Sequence, residues 1–212
     1  VFDPPGCRGA VLLLHPVSGP VTPDWPPLTA ALNEHRLGCV APHGGRTWWL
    51  GPAESHLTDV VLPWVRATWG RSVAVLGIEA GGQAAVRLGF RRPDLVPVVG
   101  SLGGAFDFHR WHGRGTGLDD VYPTADAARQ DTAVLHLDPQ RFPPHVRFDC
   151  DPADGWWPGN DRLREKLTAY GLPHQCDLDT SAADPWAYFD RQIGPLVGWA
   201  ADALSAAGRR LL

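Results

Sequence analysis

The stretch SVAVLGIEAGGQAAVRLGF, positions 72–90, decides the fold. Its first six residues, 72–77, form a short apolar run carrying the β-branched Val73 and Val75, which predicts a strand buried on both faces. A glycine-rich turn, Gly77-Ile78-Glu79-Ala80-Gly81-Gly82, leads into a helical pattern over 83–90 that stops before Arg92-Pro93. Working outward, the same kind of run recurs at 10–15 (AVLLLH), 37–41 (LGCVA), 95–101, 145–150 and, more briefly, 174–178. Helical patterns lie between these runs. Residues 57–69 carry Val60, Val61, Trp64 and Val65 near helical spacing, and 162–170 ends at the stop signal Gly171-Leu172-Pro173. The segment 186–204 reads as a helix interrupted near Gly194-Pro195. Continuous apolar strands alternating with helices imply a mostly parallel sheet covered on both faces, a single α/β domain over residues 1–212.

Composition narrows the function classes. The chain is 44% hydrophobic and 20% charged, which excludes a disordered polymer. Its net charge of −4 argues against a nucleic-acid footprint. No apolar run reaches the roughly 18 residues of a membrane span, and no signal peptide is visible, so a soluble, cytoplasmic protein is expected. The cysteines at 7, 39, 150 and 176 lack CxxC spacing; Cys39, Cys150 and Cys176 sit in apolar or alternating runs and read as buried free thiols.

In an open parallel sheet, ligands bind beyond the carboxyl ends of the strands. The segments that follow the strands here are His15-Pro16-Val17-Ser18-Gly19, Pro42-His43-Gly44-Gly45, Ile78-Glu79-Ala80-Gly81-Gly82 and Asp151-Pro152-Ala153-Asp154, with Asp184 after the last. The third has the glycine spacing of a nucleophile elbow, G-x-S-x-G, with Glu79 at the position normally held by serine. Gly100-Ser101-Leu102-Gly103-Gly104 is only superficially similar, because Val99 stands where the first glycine belongs. Phe108-His109-Arg110-Trp111-His112 has an HxxH spacing, but no third ligand is placed by sequence, and ordinary packing is the expectation.

These motifs resemble the esterase D-like group of α/β-hydrolases, serine esterases that include bacterial proteins of the GxSMGG type. The resemblance is carried by Gly77–Gly82 with Gln83-Ala84-Ala85-Val86-Arg87-Leu88, by Arg92-Pro93-Asp94-Leu95, by Pro42–Trp49 and by Cys150–Asp154. It implies an α/β-hydrolase fold with a small lid or none. Carried over by position, it puts the nucleophile at Glu79, the acid at Asp154 and the catalytic histidine at Asp184, within Ala182-Ala183-Asp184-Pro185-Trp186. It assigns the oxyanion hole to the backbone N–H groups of Ala80 and of Val17 or a neighbour.

Two of three triad positions therefore carry carboxylates. Acyl transfer needs a hydroxyl or thiol nucleophile and an imidazole that takes and returns its proton, and Glu79 and Asp184 supply neither. A side effect is that the Glu79 carboxylate could fold into the oxyanion hole itself. In the family geometry Glu79, Asp154 and Asp184 would converge, with His15 and His43 ending neighbouring strands and Trp48, Trp49, Trp156, Trp157 and Trp186 beside them as an apolar wall. The leading expectation is a catalytically impaired esterase-like domain that binds a small apolar or ester-like molecule, without cofactor or resident metal. The alternative is an active ester hydrolase using a Glu79 carboxylate nucleophile or a metal held by the carboxylates and histidines.

Overall fold

The computed structural model describes residues 1–70 and 73–209. Six strands, β1 (Ala10–Leu14), β2 (Gly38–Val40), β3 (Val73–Ile78), β4 (Val98–Leu102), β5 (His145–Asp149) and β6 (Gln175–Asp177), form one sheet in the order β2-β1-β3-β4-β5-β6. Every neighbouring pair is parallel. All six expected strands are present, with ends moved by one to three residues; the expected first residue of the third, Ser72, lies outside the described residues.

Side chains alternate across this sheet, and both faces are covered. On β1, Ala10, Leu12 and Leu14 join the core under α3 (Leu62–Trp69) and α4 (Ala80–Arg91), where they meet Leu62, Val65, Val86 and Phe90. Val11 and Leu13 face the other way, toward Leu28 and Leu32 of α1 (Pro26–His35) and Ile193, Leu196 and Val197 of α8 (Pro185–Arg209). That two-sided burial explains the unbroken AVLLL run, since each such side chain contributes roughly 1.5–3 kcal/mol when buried.

Three local readings differ from expectation. The helix expected at 57–69 begins earlier, as α2 (Pro52–His56), and passes through a π turn at Leu57–Val61 before α3. Pro63 cannot donate to a carbonyl one turn back, and the Leu62 N–H instead reaches the Leu57 carbonyl, five residues away. The extra residue rotates the apolar stripe, so Leu57, Leu62 and Val65 are buried while Val60 and Trp64 are 53% and 46% exposed. The expected break near Gly194-Pro195 is absent, and α8 runs through Pro195. Helix α1 has no counterpart in the sequence reading; Pro26 and Pro27, which look like loop residues, occupy its first turn.

Between β4 and β5, residues 103–144 carry only short helical pieces, among them α5 (Leu118–Val121) and α6 (Ala125–Gln130). They pack onto an apolar cluster of Trp48, Leu50, Ala80, Phe108, Leu118 and Tyr122. A charged knot holds them to the body. Buried Arg87 of α4 pairs with Glu54 of α2 and with Asp131, and Asp131 also accepts from the Tyr122 hydroxyl and His136 Nε2. The last long helix before α8 is α7 (Trp157–Ala169), which starts five residues earlier than expected with Pro158 in its first turn.

Candidate functional site

Glu79 is the single residue between β3 and α4, at φ 47° and ψ −110°. Few non-glycine residues hold a positive φ, and here the surroundings enforce it. Its N–H donates to the Leu102 carbonyl at 3.0 Å, and its own carbonyl accepts from Gln83 and Ala105 at 3.0 Å each. The glycines around it are steric necessities. A Cβ on Gly77 would lie 2.2 Å from Gly81 backbone, one on Gly81 would lie 2.0 Å from the Leu14 carbonyl oxygen, and one on Gly82 would strike Ser101 Oγ. The turn thus has the tightness of a nucleophile elbow, with a carboxylate at its tip.

That carboxylate is partly buried and accepts no hydrogen bond from the described residues, so it does not fold back onto the Val17 or Ala80 N–H. Burial, and then the charge of Asp154, raise its pKa to about 6. Asp154 is itself raised by burial and by Asp151, an effect partly offset by the Trp156 N–H that reaches its Oδ1 at 2.8 Å. Two of the three expected carboxylates therefore do lie within each other's field.

The third has another occupation. Asp184 is exposed at the N-cap of α8, its Oδ1 accepting from the Ala187 N–H at 2.9 Å and its carbonyl from Tyr188 at 3.0 Å. Aspartate followed by Pro185 at the first helical position is a helix-start signal legible in the sequence. Asp184 is thus engaged by the helix it caps, and among the described residues no group of three or more His, Cys, Asp and Glu is arranged to hold a metal ion. Asp151 is the carboxylate that sequence reasoning passed over. It is 6% exposed and accepts from the Ala153 and Ala182 N–H groups at 2.8 Å each, tying the loop before α8 to the end of β5.

His15 is fully buried at the end of β1. Gly44 N–H donates to its Nε2 at 3.0 Å, so the proton sits on Nδ1, which donates to the Pro16 carbonyl at 2.6 Å. Burial, reinforced by His43, holds its pKa below the usual histidine value, although the Pro16 bond opposes this. Both nitrogens are engaged by the backbone, so His15 fixes the Pro16–Val17 peptide and is closed to proton transfer. His43 lies 5.9 Å away between ring centres but is exposed, and it lines a cleft with Ser18 and Arg46.

The tryptophans divide. Trp48 and Trp156 meet edge to face at 6.2 Å, Trp48 packs in one cluster with Ala80 and Val17, and Trp111 extends the wall at 6.0 Å from Trp156. Trp186 belongs to a different group, 49% exposed against Trp25 and Phe189. Trp49 and Trp157 turn into the body, donating to the His15 and Leu178 carbonyls. Ser101 is fully buried with its Oγ beneath Gly82 and Gly104, shut away from any substrate.

Other reactive side chains are quiet. Cys39 and Cys150 are buried free thiols, the first pushed up to about 12 by burial and the second also raised; Cys176, expected to be buried, is only partly so. His112 Nε2 pairs with the Tyr122 carbonyl at 2.8 Å, a packing role.

A cleft of about 740 Å³ opens between the segment 46–53 and residues 115–121, with Val17, Trp48 and Leu50 in its wall. A second of about 420 Å³ adjoins it and shares Val17 and Arg46. Glu79 is in neither wall; Val17 and Trp48 bring the larger cleft up to the elbow through their packing on Ala80.

No protein-family model and no curated protein sequence matches the chain. Solved structures do. A fluorophosphonate-binding serine hydrolase of Staphylococcus aureus, FphF, superposes with a TM-score of 0.74 at 17% identity, over 95% of this chain and 85% of that one. MPT51 of Mycobacterium tuberculosis gives 0.76 at 18% identity, over 94% and 91%. An S-formylglutathione hydrolase of Staphylococcus aureus gives 0.69 at 18%, over 95% and 83%. The chain has the α/β-hydrolase fold.

Proposed function

We propose that this protein is an esterase-like α/β-hydrolase domain that binds a small ligand and lacks serine-hydrolase turnover. The observation that carries the reading is the strained elbow presenting Glu79 where the fold offers its nucleophile. A carboxylate cannot form the acyl-enzyme of a serine esterase; an acyl group on Glu79 would be an anhydride. Neither the residue at the expected histidine position nor the buried histidine at the end of β1 supplies a base. Asp184 caps a helix, and both nitrogens of His15 are engaged. Asp154, without a histidine to orient, is left as a second carboxylate that makes Glu79 a weaker acid. Glu79 and Asp154 at the elbow, the expected oxyanion donors Val17 and Ala80, and the wall of Trp48 and Trp156 are then read as an esterase site whose chemistry has been disarmed. Triad members act as a unit, so the loss of two removes nearly all of their joint contribution.

The test is hydrolysis of a p-nitrophenyl acyl ester series by wild type, Glu79→Ala and Glu79→Ser, with and without EDTA. Wild type and Glu79→Ala should be indistinguishable, and Glu79→Ser alone should stay at background because no base activates its hydroxyl. Turnover by wild type that Glu79→Ala abolishes overturns the reading in favour of a working carboxylate, and its sensitivity to EDTA would show whether a metal takes part.

A further inference from the structure

The two clefts beside the Val17 loop differ in character. In the smaller, the Ser18 hydroxyl, the His43 imidazole and the Arg46 guanidinium line one concavity with no carboxylate in its wall. All three side chains are exposed, and among the described residues none of them makes a hydrogen bond or ion pair. Several other arginines here, including Arg87, Arg147, Arg162 and Arg164, are paired with aspartate or glutamate. The larger cleft begins at the same Val17 and Arg46 and continues along Trp48, Leu50 and Pro52. Its acidic residues stand on the far wall. Asp119 is already engaged by the Gly113 and Gly115 N–H groups, which leaves Asp120 on α5 as the opposing charge.

We propose that this double cleft binds a small amphipathic carboxylate, its anionic head on Arg46 with Ser18 and His43 and its apolar body along the Trp48 wall. The inference rests on the ligand-binding reading above and names the ligand class. A guanidinium presents a planar fork that matches a carboxylate through two parallel hydrogen bonds, and a single such cation suits a monoanion. An exposed ion pair contributes little by itself, so the apolar body has to supply most of the affinity. A cleft of about 740 Å³ is ample for a chain of several carbons or one aromatic ring.

The experiment is calorimetric titration of the whole protein with butanoate, octanoate and 3-phenylpropanoate, alongside 3-phenylpropanamide as a neutral counterpart and acetate as a head without a body. Octanoate or 3-phenylpropanoate should bind saturably. The amide and acetate should bind at least ten-fold more weakly than 3-phenylpropanoate, and Arg46→Gln should cost the carboxylates a similar factor. Raised salt should weaken binding, and Asp120→Asn should tighten it two- to three-fold. Arg46 is exposed, so Arg46→Gln should melt as wild type does, which separates loss of contact from loss of fold. Absence of saturable binding by every carboxylate overturns the proposal. Equal binding of acid and amide, unaffected by Arg46→Gln, overturns it too but leaves the small-ligand reading standing. Glu79-dependent ester turnover would instead remove the reading that turnover is absent, without touching the result for Arg46.

Discussion

The resemblance to serine esterases sets two carboxylates, Glu79 and Asp184, at positions expected to carry working groups, yet the molecule treats them in opposite ways. Glu79 sits at a positive φ on a turn whose every neighbour is fixed by contact, partly buried, unpartnered and beside Asp154. Asp184 sits in an exposed loop and has found ordinary employment as the N-cap of α8. The first position is costly to the fold and the second helps it. The turn at 79 survives because packing demands it, whatever its tip carries, whereas the loop at 184 owes its form to the helix that follows.

Four measurements test that contrast. The largest effect should come from Gly81→Ala, whose Cβ would lie 2.0 Å from the Leu14 carbonyl oxygen. Urea unfolding should show a loss of about 4 kcal/mol or more, or no folded protein at all, and a mild effect would mean that the elbow is not locked. His15→Ala comes next. It removes the bonds to Pro16 and Gly44 and hollows a buried site, for an expected loss of about 3 kcal/mol.

Glu79→Gln should move stability the other way. With its pKa raised from 4.5 to about 6 in the fold, Glu79 ionises first in the unfolded chain as pH rises. The unfolded state then holds fewer protons between those values, so wild-type stability falls across that window and stays lower above it. The glutamine variant should therefore be more stable by about 2 kcal/mol at neutral pH and no different in this respect below pH ~4.5. Asp184→Ala should lose about 1 kcal/mol as a missing cap, and Asp184→Asn should recover it, since amide and carboxylate cap alike. If Asn does not rescue, Asp184 does more than cap.

The same contrast explains what could be read in advance. The elbow was legible because its spacing is a steric requirement: glycines at 77, 81 and 82 have no tolerated substitute, so they announce the turn in any sequence that contains it. Strands β1 and β3 are legible because two-sided burial leaves no polar interruption, whereas β5 and β6 carry Arg147, Asp149, Gln175 and Asp177 and stand out less. The helix expected over 57–69 differs from the structure on its exposed face because Pro63 cannot donate and the Leu62 N–H reaches back five residues, so a fixed period of 3.6 points to Val60 and Trp64 instead of Leu57 and Leu62. Trp186 is expected beside the site by position alone, and the sequence does not foretell that its ring packs with Trp25 and Phe189. His15 could be placed at a strand end, but not its locked tautomer, which depends on Gly44, 29 residues away.

The knot of Arg87, Glu54 and Asp131 ties one side of the larger cleft to the body. Val121 and Asp120 reach that cleft on a segment with little regular structure of its own, held to the body through Asp131 and Tyr122. In hydrogen-exchange terms, residues 103–144 should open as one cooperative unit below the global unfolding energy, while β1, β3 and α4 exchange only on complete unfolding. One wall of the cleft thus depends on a few charges for its anchorage, and weakening them should be felt first there.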